Sequence, residues 1–259
     1  MTERIIARKD GATGWLVFNN PERRNAVSLD MWQAIPGVLG DFGADDAIRV
    51  VVLAGAGDKA FVSGADISQF EKQRSTAETV AHYDEIGEKA QTALKNFDKP
   101  VIAMIRGYCI GGGLNIANLC DLRIAADDAR LGIPAAKMGL GYRASSMKNL
   151  VDVVGKAAAL EIMITARQFS ADEARHMGLV HKVVPVAALE KATREYCDMI
   201  AANAPLTMRA AKRIIREVTA NDYDAAACSA WVKECFDSED YREGRRAFME
   251  KRKPVFKGR

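Results

Sequence analysis

The order of apolar and polar segments predicts an α/β fold with a layered sheet core and a helical C-terminal region. Apolar runs at Val50–Ala54 and Val101–Ile105 have the length and composition of buried strands, Leu122–Ala126 is predicted as another strand, and segments with helical spacing separate them. After Ala144 the strand signals nearly vanish and helical patterns follow. Of the 259 residues 49% are hydrophobic, which is sufficient to bury a full core.

The N-terminal part of the chain contains most of the predicted strands. They are Ile5–Arg8, Trp15–Phe18, Val50–Ala54, Ala60–Val62, Val101–Ile105 and Leu122–Ala126. Ser28 is expected to cap a helix that continues to about Leu39, and a longer helix is predicted from about Thr76 to Phe97.

The C-terminal part is predicted to be helical apart from a short strand at Lys182–Val184. Ser170-Ala-Asp-Glu173 has the pattern of a capping box, and Ser238 is expected to cap the last helix. The predicted helices cover about 186–202, 207–218, 223–236 and 239–252. We therefore expect an α/β core over residues 1–200 and a helical region over residues 201–259.

Composition and charge exclude several classes of protein. The net charge is only +3, and the basic tail from Arg242 to Arg259 is too short and too poor in aromatic residues to indicate nucleic-acid binding. No apolar run approaches the length of a membrane span, and the first residues lack the apolar core of a signal peptide. Five cysteines without a C-x-x-C pair predict reduced thiols, so we expect a cytoplasmic protein.

The three histidines do not have the spacing of metal ligands, and no metal, flavin or nicotinamide site is predicted. His82, His176 and His181 are expected on helix surfaces or at a strand end.

A strand, a glycine run and a helix follow one another between Val101 and Leu119. The first amides of a helix lack partners within it and lie at its positive end, and glycine allows a ligand to approach them closely. Gly111–Gly113 therefore suits a group that is, or becomes, an oxyanion. A flexible turn, a tight packing contact and a dinucleotide loop are alternatives, although the G-x-G-x-x-G pattern of the last is absent.

A series of motifs extends in order over almost the whole chain. Two of them bear glycines, Ala60-Phe-Val-Ser-Gly-Ala-Asp-Ile67 and Gly107-Tyr-Cys-Ile-Gly-Gly-Gly-Leu-Asn-Ile116. The others are Asn19-x-Pro-x-x-x-Asn-Ala26, Cys120-Asp-Leu-Arg-Ile-Ala125, Thr165-Ala-Arg-x-Phe-Ser-Ala-Asp-Glu-Ala174, Gly178-Leu-Val-x-x-Val-Val-Pro185 and Glu243-Gly-x-x-Ala-Phe-x-Glu-Lys-Arg252. Together these motifs resemble the crotonase (enoyl-CoA hydratase/isomerase) superfamily. The resemblance implies a spiral of β-β-α units with a helical C-terminal trimerisation region, assembled as a homotrimer or as a homohexamer built from two trimers.

The resemblance also implies an acyl-CoA substrate whose thioester oxygen lies between the backbone N–H groups of Ala65 and Gly112. Coenzyme A is then part of the substrate, and no separate cofactor is expected. By the same resemblance, the CoA contacts are Arg24, Ala26, Ser63, Gly64, Ala65, Asp66 and Gly112. Phe248 and Lys251 in the tail are expected to contribute to a CoA pocket of this or a neighbouring subunit, although Lys251 also fits an ordinary exposed lysine.

The chain departs from the family pattern at both positions where hydratases carry a catalytic glutamate. The resemblance places Asn115 and Ala135 there, and neither side chain accepts a proton. Since each positioned acid or base contributes about 10²–10⁴-fold, most ordinary hydratase activity is expected to be lost.

Three functions stay open at this point. One is an acyl-CoA-transforming enzyme of this family, a lyase or isomerase that stabilises an enolate of the thioester. A second is decarboxylation of a methylmalonyl-CoA-type substrate, with Tyr142 as the functional residue and Arg143 as a candidate for holding an acidic group; Tyr142 also fits a structural role. The third, of a different class, is a catalytically quiet acyl-CoA-binding or scaffold protein. Glu71 is a further candidate acid that a mobile segment could bring to the site.

Overall fold

The structure is a computed structural model that describes residues 2–66, 77–220 and 222–259. Its strands are β1 (Ile5–Asp10), β2 (Thr13–Phe18), β3 (Val50–Gly55), β4 (Ala60–Val62), β5 (Val101–Ile105), β6 (Tyr108–Ile110), β7 (Leu122–Ala126), β8 (Arg130–Gly132), β9 (Phe169–Ser170) and β10 (Lys182–Val184). Its helices are α1 (Leu29–Ala44), α2 (Ala77–Lys95), α3 (Gly112–Leu119), α4 (Ala144–Thr165), α5 (Ala171–His176), α6 (Leu189–Ala201), α7 (Pro205–Val218), α8 (Ala225–Asp237) and α9 (Glu239–Glu250). The predicted α/β class is confirmed.

These strands form two sheets. The larger has the order β1-β2-β3-β5-β7-β10, in which β1 and β2 are antiparallel and the later pairs are parallel. The smaller has the order β4-β6-β8-β9, parallel except for the last pair.

The chain repeats one β-β-α unit as it passes between the two sheets. β3, β5 and β7 each enter the larger sheet, and the next strand, β4, β6 or β8, enters the smaller one before a helix follows. This is the spiral of β-β-α units that the motifs implied. Because β4 and β6 are neighbours in the smaller sheet, the segments that follow them emerge side by side.

The central strands of the larger sheet are buried on both faces, as parallel strands covered by helices are. Alternate residues divide between two clusters: Val51 and Leu53 pack with α1, α2 and the smaller sheet, whereas Val50 and Val52 face Leu189 and Cys197 of α6. Double-sided burial explains why these strands are continuous apolar runs in the sequence.

The structure adds elements that the sequence patterns did not predict. The short strands β6, β8 and β9 and the long helix α4 were not foreseen, and α4 is kinked at Gly155, where φ is 72°. Helix α1 continues to Ala44, beyond the expected end near Leu39, with Pro36 inside it.

Two of three predicted helix caps form as expected. The capping box of Ser170 and Glu173 is present, and the Ser238 hydroxyl accepts a hydrogen bond from the Tyr241 amide. Ser28 occupies the N-cap position of α1, but its hydroxyl donates to the Asp30 carboxylate instead of accepting from a backbone amide.

The C-terminal tail folds back on the rest of the molecule. The buried Asp240 carboxylate accepts hydrogen bonds from the amides of Lys257 and Gly258, and Arg49 donates to the Phe256 carbonyl at 3.1 Å. Within the described part of the chain, no helix combines the length and apolarity that crossing a bilayer requires.

Candidate active site

The N-terminus of α3 begins in the glycine run that follows β6. Gly111 precedes the helix with φ of 55°, a left-handed conformation that glycine adopts without strain. Gly112 is the first helical residue, so its N–H has no partner within the helix. A Cβ on Gly113 would lie 2.1 Å from the Val62 carbonyl oxygen, so a side chain there would force a backbone to shift, and α3 packs directly on β4.

The segment after β4 is fixed by a parallel bridge between Val27 and Ala65. The Val27 amide donates to the Gly64 carbonyl at 2.8 Å, and the Asp66 amide donates to the Val27 carbonyl at 3.1 Å. In a parallel bridge the flanking residues make these bonds, so the N–H of Ala65 itself is directed to the side away from Val27.

The backbones of Ala65 and Gly112 meet at one cavity. A Cβ built on Gly112 would lie 3.7 Å from the Ala65 nitrogen and 3.8 Å from the Gly64 Cα. Both residues line a cavity of about 410 Å³, together with Ser63, Gly64 and Gly111. Two backbone amides at one cavity, one of them at a helix N-terminus, suit an oxygen that gains negative charge.

The wall of this cavity next to the glycine turn carries carboxamides. Asn115 is buried on α3, and its side-chain amide donates to the side-chain oxygen Oε1 of Gln91, on α2, at 2.7 Å. Asn149 of α4 makes a longer contact of 3.5 Å to the Asn115 oxygen. Ala135, also buried, lines the same cavity and offers no polar atom from its side chain.

The cavity lining also includes Tyr142 and Arg143, which precede α4. Burial raises the pKa of Tyr142 to about 12, so its phenol stays protonated at neutral pH and can donate a hydrogen bond. Arg143 forms an ion pair with Asp84 of α2, which also lines the cavity.

The predicted CoA residues of the first loop lie beside the Ala65 segment. The Ser63 amide donates to the Arg24 carbonyl at 3.1 Å, and Arg23 pairs with the buried Asp66 carboxylate at 3.1 Å. The Arg24 guanidinium lies over the Tyr108 ring, 4.9 Å from its centroid, while Ala26 is buried. Arg24 also lines a neighbouring cavity of about 540 Å³ with Lys59.

Phe248 and Lys251 lie elsewhere in the chain. Phe248 is 83% exposed on α9 and lines an apolar groove of about 910 Å³ with Phe236, Tyr241 and Met249. Lys251 is exposed and ends α9 in a left-handed conformation. Neither residue lines the cavity of Ala65 and Gly112 in the same chain.

Several other polar residues have structural partners. Asp121 accepts from the Val101 amide and the Lys212 ammonium, both at 2.7 Å, which ties α7 to β5. His181 accepts from the Arg123 amide at 3.2 Å, and burial lowers its pKa. Arg123 is itself buried and donates to the carbonyls of Ala117 and Cys120 at the C-terminal end of α3. Glu71 lies outside the described residues.

Comparison with known proteins agrees with this arrangement. The family model described as "Enoyl-CoA hydratase/isomerase" matches residues 9–259. A short-chain-enoyl-CoA hydratase from Clostridium acetobutylicum is 36% identical over 96% of this chain and 95% of its own length. The chain belongs to the enoyl-CoA hydratase/isomerase family.

Solved structures and a further relative support the same crotonase membership. An enoyl-CoA hydratase/carnithine racemase from Magnetospirillum magneticum superposes with a TM-score of 0.94 at 37% identity, covering 100% of this chain and 97% of that one. A crotonyl-CoA hydratase from Syntrophomonas wolfei is 33% identical over 98% of both chains. An acyl-CoA enzyme with the crotonase fold is thus supported, and the exact reaction is a separate question.

The crotonase resemblance did not lead to every polar residue at this site. Gln91, Asn149 and Ser146 were not singled out in the sequence, although Gln91 and Ser146 line the cavity and Asn149 contacts Asn115. The available signal for Gln91 was its spacing: Tyr83, Gly87 and Gln91 are four residues apart on α2, and all three line the cavity.

Proposed function

We propose that this crotonase binds an acyl-CoA thioester with its carbonyl oxygen between the N–H groups of Ala65 and Gly112 and stabilises the enolate that forms there. The observation that carries the proposal is the convergence of these two backbones at one cavity. A Cβ built on Gly112 would lie only 3.7 Å from the Ala65 nitrogen. A preorganised N–H pair binds the charged oxygen more strongly than the neutral carbonyl, so it lowers the barrier to enolate formation.

The same cavity argues against efficient hydration. Addition of water to an enoyl thioester requires a group that takes a proton from water and a group that supplies one to carbon. Asn115 is an amide that already donates to Gln91, and Ala135 is apolar. Enolate stabilisation is retained in such a site, whereas proton transfer through these two positions is not.

Decarboxylation is the second candidate, and the partly buried Tyr142 at the cavity favours it. In this reaction the bond between Cα and the carboxylate breaks, its electron pair enters the thioester as an enolate, and CO₂ leaves. No side chain has to remove a proton before that step. The protonated Tyr142 phenol would hold the departing carboxylate by a hydrogen bond.

The loops on either side of Ala65 are proposed to hold the CoA part of the substrate. Arg24 and Lys59 line the adjacent cavity, which also contains Glu22 and Asp58, and are proposed to contact the phosphates of CoA. The Ser63–Ala65 backbone borders the thioester cavity. Phe248 and Lys251 are proposed to cover a CoA pocket of a neighbouring subunit, because they lie away from the cavity of their own chain. Residues 201–259 would form the assembly region of a homotrimer or homohexamer.

A thioester panel tests the reaction. The purified protein is incubated with crotonyl-CoA, malonyl-CoA and methylmalonyl-CoA, and hydration, CO₂ release and binding are measured. We expect all three thioesters to bind and crotonyl-CoA to be hydrated about 10²-fold or more slowly than by relatives that carry both glutamates. Hydration at the rate of those relatives would contradict the proposal. Binding without turnover of any thioester would favour the scaffold.

Tyr142→Phe separates the two candidates. If decarboxylation is the reaction, loss of the phenol hydroxyl should reduce CO₂ release by about tenfold or more, because a buried hydrogen bond to a charged group is lost. Undiminished CO₂ release by Tyr142→Phe would exclude the role proposed for this residue.

A further inference from the structure

The carboxamide of Gln91 has a fixed orientation in the cavity. Its oxygen accepts the 2.7 Å hydrogen bond from the Asn115 amide, which leaves the Gln91 NH₂ group as the end that faces other partners. That nitrogen lies 4.0 Å from the position of a Cβ on Gly87, and Gly87 and Gln91 both line the cavity. Because Gly87 has no side chain, the space beside the Gln91 NH₂ group is open to a ligand.

The position of this donor relative to Gly112 sets the part of the substrate it can reach. Asn115, which hydrogen-bonds to Gln91, is three residues after Gly112 on α3. Asn115 and Gly112 are therefore about 4.5 Å apart along the helix axis. A thioester oxygen at the Gly112 N–H therefore places the β carbon of the acyl group, and an oxygen attached to it, near the Asn115–Gln91 pair. A remote end of a long acyl chain would lie beyond it.

The chemistry of the neighbouring groups favours an uncharged acceptor. Tyr142 and Ser146, whose side chains carry hydroxyl groups, line the same cavity. Among the described residues that line it, the charged side chains are Arg143 and Asp84, which pair with each other. A buried anion needs a partner charge, whereas a ketone oxygen is satisfied by neutral N–H and O–H donors.

We infer that the acyl pocket is built for a β-oxoacyl thioester, with the Gln91 NH₂ group as the donor that recognises the β-oxo oxygen. The inference rests on the proposed function, since it takes the thioester oxygen to lie at Ala65 and Gly112. It names a specificity-determining residue and a substrate class with a second carbonyl, which a simple enoyl or saturated acyl group lacks.

Equilibrium binding of three thioesters of similar length to the full chain tests the inference. Acetoacetyl-CoA carries the β-oxo group, butyryl-CoA lacks it, and malonyl-CoA carries an anionic carboxylate instead. By titration calorimetry we expect acetoacetyl-CoA to bind about tenfold more tightly than butyryl-CoA, the size of effect that a buried hydrogen bond produces. Equal affinity for these two, or tightest binding of malonyl-CoA, would overturn the inference and leave the proposed function standing. Failure of every thioester to bind would overturn both.

Gln91→Glu is the informative variant because it keeps the shape of the side chain and an oxygen for the Asn115 amide, while it replaces the NH₂ donor with a second acceptor oxygen. We expect the preference for acetoacetyl-CoA over butyryl-CoA to fall to about twofold or less. Gln33→Glu, the same change at an exposed position of α1, is the matched control and should keep the preference. A preference that survives in Gln91→Glu would assign the recognition to another group. Comparing the two ligands within one variant separates recognition from a general loss of structure, and Gln91→Leu provides the same comparison if the glutamate variant does not fold.

Discussion

The amide of Gly112 is a single N–H group, and its proposed role can be tested without changing any side-chain chemistry. Gly112 is the first residue of α3, a position where proline is well tolerated, and it follows a glycine that accommodates the ring. Gly112→Pro therefore removes the N–H while it retains the helix. We expect kcat/KM for the best thioester of the panel to fall about 10²–10³-fold, as on loss of one oxyanion donor.

Gly112→Ala is the control for that substitution. Its Cβ would lie 3.7 Å from the Ala65 nitrogen, an ordinary van der Waals contact, and its N–H remains. We expect much smaller losses than in the proline variant, with circular dichroism showing both variants folded. Equal losses in the two variants would point to crowding of the cavity and would contradict the role of the amide.

Individual residues also show how much of the candidate site can be predicted from the sequence. The convergence of Ala65 and Gly112 was expected only because two glycine-bearing motifs resemble one family, since residues 47 positions apart have no local pattern that joins them. The Gln91–Asn115 hydrogen bond could not be predicted, because it depends on how α2 packs against α3. Helical spacing indicates which face of α2 is buried, but not which residue of another helix lies opposite.

At the scale of the element, the contact between α3 and β4 depends on one missing side chain. A Cβ on Gly113 would lie 2.1 Å from the Val62 carbonyl oxygen, and neither backbone can move independently of its helix or strand. We expect Gly113→Ala to lower the free energy of unfolding by about 1–3 kcal/mol, the usual cost of overpacking, as measured by urea denaturation.

Gly37→Ala is the matched helical control for that change. Apart from its chain neighbours and the backbone of its own helix, no heavy atom lies within 4 Å of a Cβ placed on Gly37. The added methyl group therefore enters open space beside α1. Alanine is the better helix former by about 0.5–1 kcal/mol, and we expect stability to rise or stay unchanged. A Gly113→Ala variant as stable as Gly37→Ala would show that α3 can shift away from β4.

The elements also differ in how strongly the sequence predicts them. β3 and β5 were predicted because burial on both faces makes each a continuous apolar run, whereas β7 is apolar apart from the buried Arg123. β6, β8 and β9 have only two or three residues each and acquire strand geometry from partners far along the chain, so no periodicity marks them. Helix α4 lacked a clear signal because Gly155 interrupts its helical conformation.

At the scale of the whole molecule, the apolar groove on the C-terminal helices predicts an assembled protein. Phe248 and Met249 are 83% and 80% exposed, more than an isolated domain usually leaves for adjacent large apolar residues. We expect sedimentation at three or six times the 28.2 kDa mass of the chain. Phe248→Asp should shift the equilibrium towards the monomer, because it places a charge in an apolar contact.

Tyr223→Asp is the control for the assembly experiment. Tyr223 is also exposed, but it precedes α8 and does not line the groove. We expect its sedimentation to match that of the unchanged protein. Assembly through this groove would be contradicted if the unchanged protein sedimented as a monomer. It would also be contradicted if the Phe248→Asp variant formed the same oligomer as the unchanged protein.

The buried Arg123 gives α3 two different ends. Its guanidinium donates to the carbonyls of Ala117 and Cys120, so the electronegative end of the helix is permanently neutralised inside the protein. The amide end at Gly112 instead opens on the cavity. A substrate oxygen bound there would bring negative charge to the positive end of this short helix, opposite the end that Arg123 already neutralises.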